Sequence, residues 1–271
     1  MSVLNNPIDD DAVRTHSLRT FITKNIVSKG PTPAYIGFND HSGTNDLQSA
    51  SNGMYWDYHH INIECSALKI SHNRTFVRGE FDWDLYGVNT IESKSALVFE
   101  RCPKLPRDIS AEFIYFNDYN REFGNHSLRA YNVKFNSYWD KGGMYDVDLD
   151  IKTLLFNDPP KFFKNITGSC EEITFRCYEF DEVPGLAAGL IQQALPKKNI
   201  KTLRDLRAYY NNPKKYPYVD PMKLFDIEAF IKNAGLDQLK NLHRIIVLDC
   251  GIRIAFNKPT DSWVASIERL N

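Results

Sequence analysis

The chain has 271 residues, 33 Lys+Arg against 34 Asp+Glu for a formal net charge of -1, and 42% hydrophobic residues. That balance excludes a chain too short or too polar to bury a core, and argues against a surface that grips nucleic acid or anionic membrane all round. The 5 cysteines are odd in number and form no Cys-x-x-Cys pair, which excludes a dense disulfide framework and the usual zinc signature.

The first residues, Met1 to Asp11, carry no basic segment followed by an apolar run, so they do not read as a secretory signal. No stretch approaches the roughly 18 apolar residues of a membrane-spanning helix. The expected location is cytoplasmic, where the sequons at Asn73, Asn125 and Asn165 would not meet a glycosylation enzyme.

Asp9, Asp10 and Asp11 open a helical pattern carried by Val13, Leu18, Phe21, Ile22 and Ile26. Acidic residues complement the positive end of a helix, so residues 9–28 are expected as an amphipathic docking helix ended by Gly30 and the following prolines. Residues 39–53 have too few apolar positions for a packed element and are expected as a long polar loop.

From Tyr55 to about Phe180 the pattern is strand-like. Val77, Phe81, Trp83 and Leu85 alternate with Arg78, Glu80, Asp82 and Asp84, which predicts a strand over Val77–Leu85. Further strands are expected over 96–100, 113–116, 128–135, 145–151 and near Ile173, Phe175 and Cys177. Gly142-Gly143 reads as a turn, as in a hairpin. No internal repeat is recognised.

After Pro184 the period becomes helical. Helices are expected over 186–195 and 203–210. A third starts at the Asp220-Pro221 cap and stops at Gly235. Two closing strands, 245–248 and 252–256, surround Asp249-Cys250-Gly251. The resulting fold class is α+β: an antiparallel β-sandwich or open-barrel body over 1–183, with an N-terminal helix, and a helical section with closing strands over 184–271. A single continuous domain is the alternative division.

Four constellations bear on chemistry. Glu80, Asp82 and Asp84, with Asp146, Asp148 and Asp150, form two carboxylate rows that could hold Mg²⁺ or Mn²⁺ if their strands were neighbours. Otherwise they are the wet faces of two strands. His59-His60 with Glu64, Cys65 and His72 could meet at a metal only if the chain doubled back. Asp40-His41-Ser42-Gly43 contains triad residue types without a nucleophile elbow. Lys197, Lys198, Lys201, Arg204, Arg207, Lys214 and Lys215, interleaved with tyrosines, form a basic segment suited to phosphates or to a solvated helix face.

No phosphate-binding glycine loop, dinucleotide fingerprint or His-Glu-x-x-His motif is present. The sequence therefore leans to a non-enzymatic structural or protein-interaction protein, with a protein partner or self-association and no cofactor expected. One alternative is a divalent-metal-dependent phosphodiester hydrolase. The other is a nucleic-acid or anionic-surface binder acting through residues 197–215.

Overall fold

The computed structural model describes residues 34–37, 61–64, 67–70, 74–78, 83, 88–102, 104–119, 121–136, 142–191, 200–212, 220–249 and 251–270. The expected 9–28 helix, the 39–53 loop, His59, His60, Cys65 and His72 lie outside them. The chain divides into two compact units, Met1–Asn117 and Asp118–Asn271.

Unit 1 is built from parallel ladders. Strands β1 (Ala34–Gly37), β4 (Arg74–Arg78), β6 (Ala96–Glu100) and β8 (Phe113–Asn117) stack parallel. Beside them β3 (Ala67–Ile70), β5 (Thr90–Ser93) and β7 (Asp108–Ser110) form a second parallel ladder, and β2 (Ile61–Glu64) pairs antiparallel with β3. Arg74 pairs with Ala96 and Ala96 with Phe113, so each coil returns to the same column after one strand from each ladder. The register brings Val77, Phe99 and Phe116 into one buried column and Leu97 and Ile114 into the next.

Unit 2 repeats this construction with longer coils. Strands β10 (Ser127–Asn136), β11 (Met144–Phe156), β12 (Phe163–Arg176) and β13 (Arg244–Leu248) are parallel and in register, and the short β9 (Phe123–Gly124) lies along the start of β11. Buried positions in β11 run Met144, then Val147, Leu149 and Ile151, then Leu154 and Phe156. Alternation along a straight strand cannot change parity. The two shifts therefore mark two corners. At the first, Asp146 has φ 52° and Asn165, its neighbour in the next coil, has φ 53°. Asn and Asp tolerate this left-handed conformation better than other side-chain-bearing residues. The Asn165 amide donates to Asp146 Oδ1 at 2.7 Å, which ties the two corners together. Gly168 follows at φ 89°, where a Cβ would come within 2.0 Å of Leu149 O, so no side chain fits.

The described residues are mostly strand, and these in-register parallel coils are those of a β-solenoid. The antiparallel sandwich or open barrel expected from the sequence is therefore incorrect. Alternation reports which face of a strand is buried but not the direction of its neighbour, and turn signals at these intervals join the strands of a coil as readily as those of a hairpin. The Gly142-Gly143 turn leads into β11, which runs parallel to β10, so it closes no hairpin between them. The repeat does have a sequence trace: Ile114-x-Phe116-Asn117, Val133-x-Phe135-Asn136 and Leu154-x-Phe156-Asn157 recur at coil spacing. The strand expected over Val77–Leu85 is described only in part. Strand β4 ends at Arg78, and Trp83 lies in a turn whose carbonyl accepts from Val88 N–H.

The helices interrupt the solenoid between β12 and β13 instead of forming a closing section. Helix α1 (Leu186–Gly189) is shorter than expected; Leu190 already bridges to Phe225. Helix α2 (Leu203–Tyr210) has its expected bounds. Thr202 accepts from Asp205 N–H, and the Asp205 carboxylate accepts from Thr202 N–H, a reciprocal cap. The helix expected from Asp220 to Gly235 is two elements. Asp220 caps a single turn over Pro221–Lys223, and Asp226 then caps helix α3 (Ile227–Asn233) by accepting from Ala229 N–H. Gly235, at φ 69°, ends α3: its N–H donates to Lys232 O, and Leu236 N–H donates to Ile231 O.

The chain then rejoins the stack at β13. Strands β14 (Ile252–Asn257) and β15 (Val264–Arg269) follow as an antiparallel meander. Among the described residues no helix is long and apolar enough to cross a membrane.

Candidate functional site

In-register parallel strands bring equivalent positions of successive coils side by side. In unit 2, Phe156 pairs with Phe175, Phe175 with Val247, and Arg176 with Leu248. The residues just past those positions therefore converge where β11, β12 and β13 end. There they line a cleft of about 430 Å³, with Asn157 and Asp158 from β11, Arg176, Cys177 and Tyr178 from β12, and Leu248 and Asp249 from β13. Leu270, just past β15, completes the wall.

Hydrogen bonds fix this wall. Cys177 N–H donates to Leu248 O at 2.9 Å, which extends the ladder into the cleft. Asp249 Oδ1 accepts from Gly251 N–H at 2.6 Å and Ile252 N–H at 2.7 Å, which holds the turn into β14. Leu270 N–H donates to Gly251 O at 3.1 Å and anchors the end of β15 beside that turn. Tyr178 N–H donates to Glu182 Oε2 at 2.6 Å, which holds a third carboxylate beside the wall. Asn157 Nδ2 donates to Asn136 Oδ1, while Asn157 Oδ1 is buried with no hydrogen-bond donor among the described residues.

Burial and neighbouring carboxylates shift two groups of the site. Asp158 sits at the exposed rim, yet burial of its carboxyl against the wall raises its pKa above the ordinary aspartate value, and the charge of Glu182 raises it further. Burial pushes the Cys177 thiol above the ordinary range, with Glu182 and Asp249 adding to the shift. A thiol held in its protonated form is a poor nucleophile. The mouth is apolar in part: Tyr178 is 61% exposed and Leu270 40% exposed.

The residues singled out by sequence fall elsewhere. Glu80, Asp82 and Asp84 lie outside the described residues. Asp146, Asp148 and Asp150 are exposed on β11, opposite buried Val147, Leu149 and Ile151. Two of the three carboxylates have cross-coil partners: Asp146 accepts from Asn165, and Asp148 accepts from Thr167 Oγ1 at 3.1 Å. Among the described residues no group of three or more His, Cys, Asp or Glu side chains is placed to hold a metal ion. Of the basic segment, Lys197, Lys198, Lys214 and Lys215 lie outside the described residues. Lys201, Arg204 and Arg207 are exposed at or on α2, whose Leu203, Leu206 and Tyr209 are buried.

Sequence reasoning missed the cleft. Asp158, Tyr178, Asp249 and Leu270 are far apart along the chain, and none belongs to a local motif. The signal available was the coil repeat, which would have aligned Asn157 with Arg176. Comparison with protein-family models, with curated proteins and with solved structures finds no match to this chain.

Proposed function

We propose that this chain is a non-enzymatic partner-binding protein that uses the cleft at the ends of β11, β12 and β13 as its recognition site. The observation that carries this reading is a cleft whose rim sets exposed apolar side chains beside exposed charged ones, Asp158 and Arg176. Tyr178 and Leu270 stand exposed at the rim of a cleft lined by Asp158, Arg176 and Asp249. Exposed aromatic and aliphatic side chains around convergent polar groups are the chemistry of recognition surfaces. Cys177, the cysteine that lines the wall among the described residues, is buried and its thiol is held protonated, which does not suit it as a nucleophile. A stacked scaffold suits the role, because each coil is held by its neighbours and the strand ends stay fixed.

The test is capture and sedimentation on the full chain, comparing the native sequence with Tyr178→Ala/Leu270→Ala. A partner, or a second copy, that is retained by the native chain and lost by the double variant supports the reading. Equal recovery by both proteins, or a monomer that retains nothing, overturns it.

A second reading rests on α2. Lys201, Arg204 and Arg207 are all exposed while the apolar face of the helix is buried, which suits an anionic surface such as nucleic acid. Replacing the three together should then abolish a salt-sensitive interaction with a nucleic-acid probe; unchanged affinity ends this alternative.

A further inference from the structure

The partner-binding reading leaves open what enters the cleft, and the lining supplies a choice. We propose that the cleft takes a lysine or arginine side chain of a partner protein, its charge among Asp158, Asp249 and Glu182 and its aliphatic stem against Tyr178 and Leu270. This inference rests on the partner-binding reading.

Three observations argue for a cationic guest. First, among the described residues Asp158 and Asp249 line the cleft against one arginine, Arg176, and the Glu182 carboxylate accepts from the Tyr178 N–H of the wall at 2.6 Å. Arg207 lies nearby, packed over Gly251, and Arg269 points to Tyr210 O at 3.5 Å. Second, the carboxylates act on two neighbouring groups. Burial is the main cause that raises the Asp158 carboxyl and the Cys177 thiol, and Glu182 adds to the first, Glu182 and Asp249 to the second. A cation entering the cleft would relieve both, and an anion would worsen both. Third, Tyr178 offers an exposed ring at the mouth. An aromatic face beside carboxylates attracts ammonium and guanidinium groups through the ring quadrupole. The long apolar stem of lysine or arginine also has a use here, since it covers apolar surface while the head reaches the carboxylates. The cleft volume of about 430 Å³ falls in the range of ligand pockets and leaves ample room for one such side chain.

The experiment titrates the full chain with N-acetyl-L-lysine amide, N-acetyl-L-arginine amide, the neutral analogue N-acetyl-L-norleucine amide and the anionic N-acetyl-L-glutamate amide. Heat and backbone NMR shifts are the readouts. The lysine or arginine probe should saturate with shifts centred on residues 157–158, 177–178 and 249, and the norleucine probe should bind about tenfold more weakly. Asp158→Asn, checked for native circular dichroism, should remove that preference, and Tyr178→Ala should weaken every probe. Equal binding of lysine and norleucine probes, a preference for the glutamate probe, or no saturable binding by any probe overturns the cationic guest. The two ideas fail separately. A partner lost in Tyr178→Ala/Leu270→Ala, with no preference among the probes, sinks only the choice of guest. Lysine-probe binding with no partner retained by the native chain sinks the partner-binding reading.

Discussion

Phe156 lies almost parallel to Phe175, with ring centroids 5.6 Å apart and 8° between the planes, and it stacks on Phe135 on its other side at 5.2 Å and 17°. The same relationship holds in unit 1 between Phe99 and Phe116, at 5.3 Å and 15°. Aromatic residues repeated in register stack across three successive coils in unit 2 and two in unit 1, and valines, Val247 and Val77, take the next place in each column. Phe156 is the middle rung of its column and also meets Phe163 at 5.7 Å. Phe156→Ala should therefore cost about 3–5 kcal/mol in unfolding free energy, at the upper end because ring contacts on both sides are lost. Denaturant unfolding followed by circular dichroism measures this, and a loss below about 1 kcal/mol would mean that the coils hold without the stack.

Gly168 tests the corner geometry. At φ 89° with Leu149 O where its Cβ would lie, Gly168→Ala must move backbone in two coils. A destabilisation of at least about 2 kcal/mol is expected. Thermal unfolding of this variant should show it, and a neutral result would contradict the stacking of β12 on β11 at that point.

The thiols give a chemical check. Cys102, Cys170 and Cys177 are buried, and burial raises the first two to about 12 and the third further still. Of the 5 cysteines, these three should stay silent to a thiol reagent at neutral pH in the native protein and react once denaturant is added. Fast labelling of any of the three, located by peptide mass, would overturn their placement.

Asp158 and Asp205 should respond to pH with opposite signs. The Asp158 pKa is raised in the folded state, so its ionisation opposes folding, and stability falls as pH rises from its unfolded pKa through its folded one. Asp158→Asn should stabilise the protein at neutral pH, by less than about 1 kcal/mol because the group sits at an exposed rim, and the gain should vanish in acid. The Asp205 pKa is lowered, first by the Lys201 N–H bond and also by bonds from Thr202. Its contribution is present above its unfolded pKa and is lost as pH falls through its folded one. Unfolding curves of Asp158→Asn and Asp205→Asn across pH 2–8 should diverge in opposite directions; parallel curves would contradict both assignments.

The cap at α2 has its own test. Thr202→Ala removes the acceptor for Asp205 N–H and should cost about 1 kcal/mol. Thr202→Ser should recover most of that loss in the same denaturant assay.

What the sequence determined by itself is local. The cap at Asp220, the stop at Gly235, and the alternation of Val147, Leu149 and Ile151 against Asp146, Asp148 and Asp150 depend on neighbours within a few residues, so their residue types alone imply them. The strands on either side of Asp249–Gly251 were legible for the same reason. The direction of the sheet was not: a half-buried strand alternates in the same way beside a parallel or an antiparallel neighbour, and only the register of Phe135, Phe156, Phe175 and Val247 decides between them. The cleft depends on the same long-range pairing. Asp158, Tyr178, Asp249 and Leu270 are unremarkable in sequence, and they share a site only because the coils that end beside them are stacked in step, with helices α1, α2 and α3 placed between β12 and β13.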